Sequence, residues 1–326
     1  MAVRCIARRD FLKGAAAVAT LGGSRFVAAS STDRSNPVLS SSAPFSRSVE
    51  RRNELVEKWN DATGLVVPKD CFAYMRDGDT RGFKALAALE HAFDKVMCEA
   101  RETVVTGDAP AVWSVYNMGY IVKTRQSLFS IDLKHWRDRE AVPFLDFALV
   151  THNHGDHFRR EFCRSMDEAR KPLVSSFVKN AAFNDIKATA NATGTPDVFR
   201  MRDVEIRTFR IDHAAAAWGI DFTTAFEMRI GKFRLLHTGD CGVANDKLRV
   251  KWGRPDLWLF FPMSLINVAD AVARIQPRRC VFGHLWELGH AVGKGRAFKP
   301  HIRRALPKAE AHCKDTTVAF WGDRII

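Results

Sequence analysis

The sequence predicts an α/β fold, and three observations carry that prediction. Hydrophobic residues recur with period 2 in some segments and with helical spacing in others, and the two kinds alternate along the chain. Three short apolar runs, Phe147 to Val150, Leu257 to Phe261 and Arg279 to Phe282, end in polar or glycine-containing turns, as buried strands do when they present loops at one sheet edge. No internal repeat breaks the chain into equivalent units.

Taken in order, residues 1–29 do not read as fold. Ala7-Arg8-Arg9-Asp10-Phe11-Leu12-Lys13 precedes a Gly/Ala-rich run, Gly14 to Gly23, and then Val27-Ala28-Ala29, a small-residue cleavage pattern. This resembles a twin-arginine export signal, which implies the twin-arginine machinery as a partner, export of the folded chain and a periplasmic or extracellular location. Residues 30–48 are Ser-rich, with Pro37 and Pro44, and form a linker too polar to pack. Residues 49–110 read as a helical extension: Ser48 to Trp59 is one amphipathic segment, and Arg81 to Arg101 places Phe83, Leu86, Leu89, Phe93, Val96, Met97 and Ala100 on one helical face.

A second domain spans 111–326. Val112 to Leu133 alternates and is rich in β-branched and aromatic residues, which predicts two strands joined by a turn near Lys123 to Gln126. Val204 to Arg210 and Ala225 to Leu236, with a turn at Gly231-Lys232, read as further strands, whereas Arg160 to Ala169 and Val268 to Ile275 read as helices.

Composition bounds the function. The 326 residues are 46% hydrophobic and 27% charged, enough for a large core. No stretch reaches the roughly 18 apolar residues of a spanning helix, which excludes a polytopic membrane protein and any stable span in the mature chain. The net charge is +13, falling to +9 if cleavage follows Ala29, so anionic partners are admitted but not selected. Seven cysteines show no CxxC pair and no framework spacing, and read as buried thiols for the most part, with disulfides left open.

The chemistry sits after Phe147 to Val150, where Thr151-His152-Asn153-His154-Gly155-Asp156-His157 places four metal-ligand side chains within six residues. His152 and His154, two apart on an extended segment, project to the same side and can share one metal. Asp156 and His157, past Gly155, can turn toward another. Imidazole and carboxylate together suit zinc, manganese or iron.

His-x-His-x-Asp-His after a buried strand resembles the metallo-β-lactamase fold superfamily, over roughly residues 111 to 290. The resemblance implies an αββα sandwich of two mixed β-sheets flanked by helices, with two divalent metals, zinc by default. It further implies His213, in Arg210-Ile211-Asp212-His213, as the third ligand to the first metal. Asp240, in His237-Thr238-Gly239-Asp240, would be the bridging carboxylate, and His284, closing Cys280-Val281-Phe282-Gly283-His284, the last ligand. His152, His154 and His213 would then hold the first metal, and Asp156, His157 and His284 the second. Asp132, closing Ser130-Ile131-Asp132, stands where the family has an aspartate supporting the metal loop. Pro255 to Pro262 and Gln276 to Arg279 are similar to the lactonase and phosphodiesterase-like branch. His237 and Cys241 are expected to pack in the core, and His290 is a less well placed alternative to His284.

The reading that results is a metal-dependent hydrolase that uses a metal-bridging hydroxide on an ester, lactone, amide or phosphodiester of a small molecule. Asp240 would place the nucleophile and Asp156 would accept or relay a proton. Lys294 and Arg296, interleaved with Gly293 and Gly295, would bind an anionic substrate group. Two other classes stay open. A nuclease of the same fold is favoured by charge, but export and the short Asp240–His284 interval speak against nucleic acid. A non-hydrolytic oxygenase or binding protein would share the ligands.

Overall fold

The structure is a computed structural model and describes residues 68–79, 84–175, 198–213, 222–242, 247–262, 267–284, 288 and 298–326. The export signal, the linker, the segment Ser48 to Trp59, His290, Lys294 and Arg296 lie outside the described residues.

Two helices come first, α1 (Pro68–Asp77) and α2 (Lys84–Glu102). They are followed by β1 (Ala111–Ser114), β2 (Tyr120–Lys123), β3 (Leu128–Ile131), β4 (Phe147–Val150), helix α3 (Arg160–Glu168) and β5 (Leu173–Ser175). These strands form one sheet in the order β1-β2-β3-β4-β5, antiparallel up to β3 and parallel from there to β5. A second sheet contains β6 (Val198–Met201), β7 (Val204–Asp212), β8 (Phe222–Ile230), β9 (Phe233–His237), β10 (Leu257–Phe260), β11 (Arg279–Phe282) and β12 (Thr316–Val318). Helix α4 (Val268–Ile275) connects β10 to β11, and α5 (Phe298–Glu310) precedes β12. The order is β12-β11-β10-β9-β8-β7-β6, with the β6 to β9 meander antiparallel and β9 to β12 parallel.

Strand alternation explains why the sheets stack. Phe129, Ile131, Phe147 and Leu149 from the first sheet share one buried cluster with Ile206, Met228, Leu235, Leu257, Leu259 and Val281 from the second. Fully burying each such side chain stabilises by roughly 1.5–3 kcal/mol before chain entropy is charged. The intervening residues face outward and must be covered by helices. Helix α2 packs on β1 and β2, α3 on β5, and α5 on β12 and α4. The α/β architecture with mixed sheets flanked by helices is the predicted one.

One expected hairpin is two turns. Val112 to Leu133 forms three strands, because Val115–Gly119 folds back on itself: the Val115 amide donates to the Gly119 carbonyl at 2.8 Å, and the Gly119 amide to Tyr116 at 2.6 Å. Asn117 takes a left-handed backbone, φ +50, which asparagine tolerates better than most residues. A Cβ on Gly119 would sit 2.7 Å from the carbonyl oxygens of Asp132 and Tyr116, so the turn needs glycine. The Asn-x-Gly signal was legible; its depth within an apolar, alternating stretch masked it.

Candidate metal centre

Topology brings four strand ends together. β7 and β9 both lie antiparallel to β8 and so point the same way, and β11 is parallel to β9 through β10. His213, Asp240 and His284, which follow β7, β9 and β11, therefore share one edge of the second sheet. The loop after β4 meets them from the first sheet, where the Thr224 amide donates to the Thr151 carbonyl at 3.0 Å. Gly239, φ +53, makes the junction close: a Cβ there would lie 2.6 Å from Thr223 Oγ1 and 2.9 Å from Thr151 Cβ.

The donors fall into two clusters. His152, His154, His213 and Asp240 form one, and Asp156, His157, Asp240 and His284 the other, with ligand atoms within 4.8 Å of one another in each. Asp240 belongs to both. Its Oδ1 lies 3.2 Å from His157 Nε2, and its Oδ2 lies 3.5, 3.7 and 3.9 Å from Nε2 of His284, His213 and His152. Asp156 Oδ2 is 2.8 Å from His284 Nε2 and 3.4 Å from His157 Nε2. All seven residues expected as ligands, four from the motif and three from the family resemblance, are thus brought together, five of them fully inside the protein and His154 and Asp156 partly so.

Beneath them, Asp132 fixes the loop. It accepts from the Thr151 amide and hydroxyl, both at 2.7 Å, and its Oδ2 is 2.8 Å from His157 Nδ1. Because the single hydroxyl hydrogen of Thr151 goes to Asp132, Thr151 Oγ1 must accept from His152 Nδ1, 2.9 Å away. His152 and His157 therefore both carry a proton on Nδ1, which leaves Nε2 of each aimed at the clusters. Lys134, not singled out by sequence, ties the same loop by donating to the Phe158 carbonyl at 3.2 Å.

Electrostatics agree with a site built for cations. Burial, with His157 next, drives His152 well below the ordinary imidazole range, and burial lowers His154, leaving both neutral and able to ligate. Burial also acts to lower His157 and His284, but the carboxylates of Asp240 and Asp156 outweigh it and raise both. Burial would raise Asp156 and Asp240, yet neighbouring imidazoles, His157 foremost, hold both well below the usual carboxylate range. Among the described residues, His154 Nε2, His157 Nε2 and Asp240 Oδ1 are buried without a hydrogen-bond partner. Orphaned buried donors and acceptors are rare, and here they converge in mixed nitrogen and oxygen sets. The residues present fit divalent metals.

A family profile described as a beta-lactamase superfamily domain matches residues 111–285, which include every residue of both clusters. The chain belongs to the beta-lactamase superfamily. Several solved structures are similar to it in fold. A metallo hydrolase, Igni18 from Ignicoccus hospitalis, shares 14% identity over 66% of this chain and 97% of its own, with a TM-score of 0.50. CmlA, a diiron beta-hydroxylase from Streptomyces venezuelae, shares 12% identity over 67% of this chain and 54% of its own, with a TM-score of 0.52. The metallo-beta-lactamase fold protein YhfI from Bacillus subtilis shares 13% identity over 64% of this chain and 90% of its own, at a TM-score of 0.48. No protein of curated function matches in sequence. A metallo hydrolase and a diiron hydroxylase share this scaffold, so the fold alone does not fix which metal the donors here would take.

Residues outside the clusters behave as expected or add to them. His237 is a core histidine, with Nε2 3.0 Å from the Met118 carbonyl, and Cys241 is a packed thiol pushed up to about 12 by burial. Cys163, Cys280 and Cys313 are likewise free and buried. Phe261 stacks on the His284 ring at 4.2 Å and 16°, and Asn117 Nδ2 donates to Asp156 Oδ2 at 3.1 Å. Neither was legible in the sequence, Phe261 because it reads as the last residue of a core strand. No helix among the described residues is long and apolar enough to cross a membrane.

Proposed function

We propose that the protein is an exported, binuclear metal-dependent hydrolase that cleaves an ester, lactone, amide or phosphodiester bond in a small molecule. The observation that carries this is Asp240, whose two carboxylate oxygens reach both clusters at once. His152, His154 and His213 would hold one metal and Asp156, His157 and His284 the other, with Asp240 between them; zinc is the default, and manganese or iron suits the same donors. Bound there, a metal pair supplies an acidified water as nucleophile and Lewis-acid polarisation of a carbonyl or phosphoryl oxygen.

The chain's own residues do the rest. Asp132 and Thr151 hold Nδ1 of His157 and His152 so that Nε2 of each faces the clusters, and Asp156, a partly exposed carboxylate at the second cluster, would take a proton from the attacking water and pass it to the leaving group. The burial of His152, His157, His213, Asp240 and His284 keeps water from competing at the ligand atoms. Lys294 and Arg296 supply charge for an anionic substrate, and Arg8 and Arg9 direct export through the twin-arginine route.

The test is a panel of esters, lactones, amides and phosphodiesters offered to metal-free protein reloaded with zinc, manganese or iron. Hydrolysis of one class, lost with chelator and restored by one metal, is the expected result. Oxygen consumption by the iron form without hydrolysis would replace the hydrolase with an oxygenase. Lys294→Ala with Arg296→Ala should raise KM for an anionic substrate and spare a neutral analogue.

A further inference from the structure

Asn117 touches two of the second-cluster residues from opposite ends of its own structure. Its side-chain Nδ2 donates to Asp156 Oδ2 at 3.1 Å, and its main-chain carbonyl accepts the His284 amide at 3.1 Å. Asp156 comes from the first sheet and His284 from the second, so this one residue of the β1–β2 turn spans the gap between the sheets at the site.

The local structure is shaped for that contact. Asn117 is buried and takes φ +50, and His284 is itself left-handed at φ +60. Such backbones are strained and persist where the surroundings impose them. Gly283 lets β11 close on the turn: a Cβ there would lie 3.2 Å from the Asn117 carbonyl oxygen and 2.5 Å from Tyr120 Oη. The amide cannot be turned round, since Oδ1 would then oppose the Asp156 carboxylate. In the orientation adopted, Oδ1 is buried with no hydrogen-bond partner among the described residues. A buried amide is held in this orientation by its contact with Asp156, since its other end gains nothing there.

Asp156 needs such a partner. Among the described residues, its side chain receives hydrogen bonds from Asn117 and from His284 Nε2, at 2.8 Å. The imidazole is itself a candidate ligand, which leaves the amide as the donor that is not. His152 and His157 have Thr151 and Asp132 for this purpose; Asp156 has Asn117.

We propose that Asn117 is a positioning residue, which aims the Asp156 carboxylate and sets the His284 main chain so that the second cluster binds its metal. This rests on the binuclear reading above. Partners that orient ligands in this way are worth about 10–100-fold in metal affinity.

The test is a stepwise Co²⁺ titration of the metal-free full chain, followed by visible absorption and calorimetry, in wild type, Asn117→Gly and His284→Ala. Glycine keeps the left-handed turn and the carbonyl and removes only the amide. The step that His284→Ala abolishes marks the second cluster. In Asn117→Gly that step should weaken about 10–100-fold and its absorption change, while the first step superimposes on wild type. An unchanged second step, or equal weakening of both, overturns the proposal. The ratio of the two affinities is read within one protein, so general loosening, visible as a lower melting temperature without metal, cannot imitate the result. A wild type that binds a single Co²⁺ overturns the binuclear reading and this proposal with it. Two ions bound by wild type, with Asn117→Gly indistinguishable, overturns this proposal alone.

Discussion

Asp132 Oδ2 lies 2.8 Å from Nδ1 of His157 while the same carboxylate accepts both the amide and the hydroxyl of Thr151. One buried side chain thereby sets the tautomer of His157 directly and that of His152 through the threonine. Asp132→Asn replaces one acceptor by an amide N–H that opposes either the Thr151 amide at the Oδ1 position or the Thr151 hydroxyl and the His157 proton together at the Oδ2 position. Metal affinity should fall about 10–100-fold, measured by competition with a chromogenic chelator. Affinity within twofold of wild type would remove Asp132 from the site's support.

The two clusters share only Asp240, which makes their losses separable. His213→Ala and His284→Ala should each leave close to one metal per chain, and Asp240→Ala should deplete both. Asp240→Asn keeps the shape and should cost far more activity than metal content. Elemental analysis after dialysis against metal-free buffer decides the set. Full occupancy in His284→Ala would dissolve the second cluster.

Much of this was legible because the strongest signals were local. Four ligands within six residues announce a metal loop, and the short apolar runs before His152 and His284 announce the strand ends that carry them. The roles of His213 and Asp240 came only through a family resemblance, since a lone histidine and a Gly-Asp pair carry no spacing of their own. What sequence could not show is convergence across the sheets. Thr151, Asn117 and Phe261 have ordinary neighbours in sequence, and their partners Asp132, Asp156 and His284 stand 19, 39 and 23 positions away. Helix α1 was equally hidden, because its stability comes from packing: the buried Tyr74 hydroxyl is 2.7 Å from His135 Nε2.

Glycine at 283 and at 239 reflects space rather than flexibility alone. A Cβ at 283 meets Tyr120 Oη at 2.5 Å and Met118 Sδ at 2.6 Å, both side-chain ends, of which the methionine is the flexible one, and the Asn117 carbonyl oxygen only at 3.2 Å. A Cβ at 239 meets Thr151 Cβ at 2.9 Å beside the main chain and adds a left-handed φ of +53. Gly239→Ala should therefore destabilise more than Gly283→Ala, which should cost roughly 1–3 kcal/mol. Urea unfolding of the metal-free proteins measures both, and the reverse order would contradict this account of the junction.

Export is tested independently of the metal site. Replacing Arg8 and Arg9 by Lys should leave the precursor in the cytoplasm with its metals bound, as fractionation followed by metal analysis would show. Unchanged export of the double substitution removes the twin-arginine reading.

A buried carboxyl away from the metals gives the chain a pH signature. Asp138 is fully buried, and burial pushes its carboxyl up to about 7 even though Arg159 Nε stands 3.2 Å away and acts to lower it. Between the ordinary carboxylate range near 4 and about 7, the folded chain holds a proton there that the unfolded chain has lost. Stability thus falls as pH rises through that window and levels off above it, opposite in sign to a salt-bridged aspartate. Asp138→Asn removes the titration, so its unfolding free energy should fall less steeply between pH 4.5 and 7 than that of wild type. The comparison uses metal-free protein, where the cluster histidines contribute equally to both curves and cancel in the difference. Parallel curves would mean that Arg159 keeps Asp138 ionised throughout, and that the buried pair is held by its charges after all.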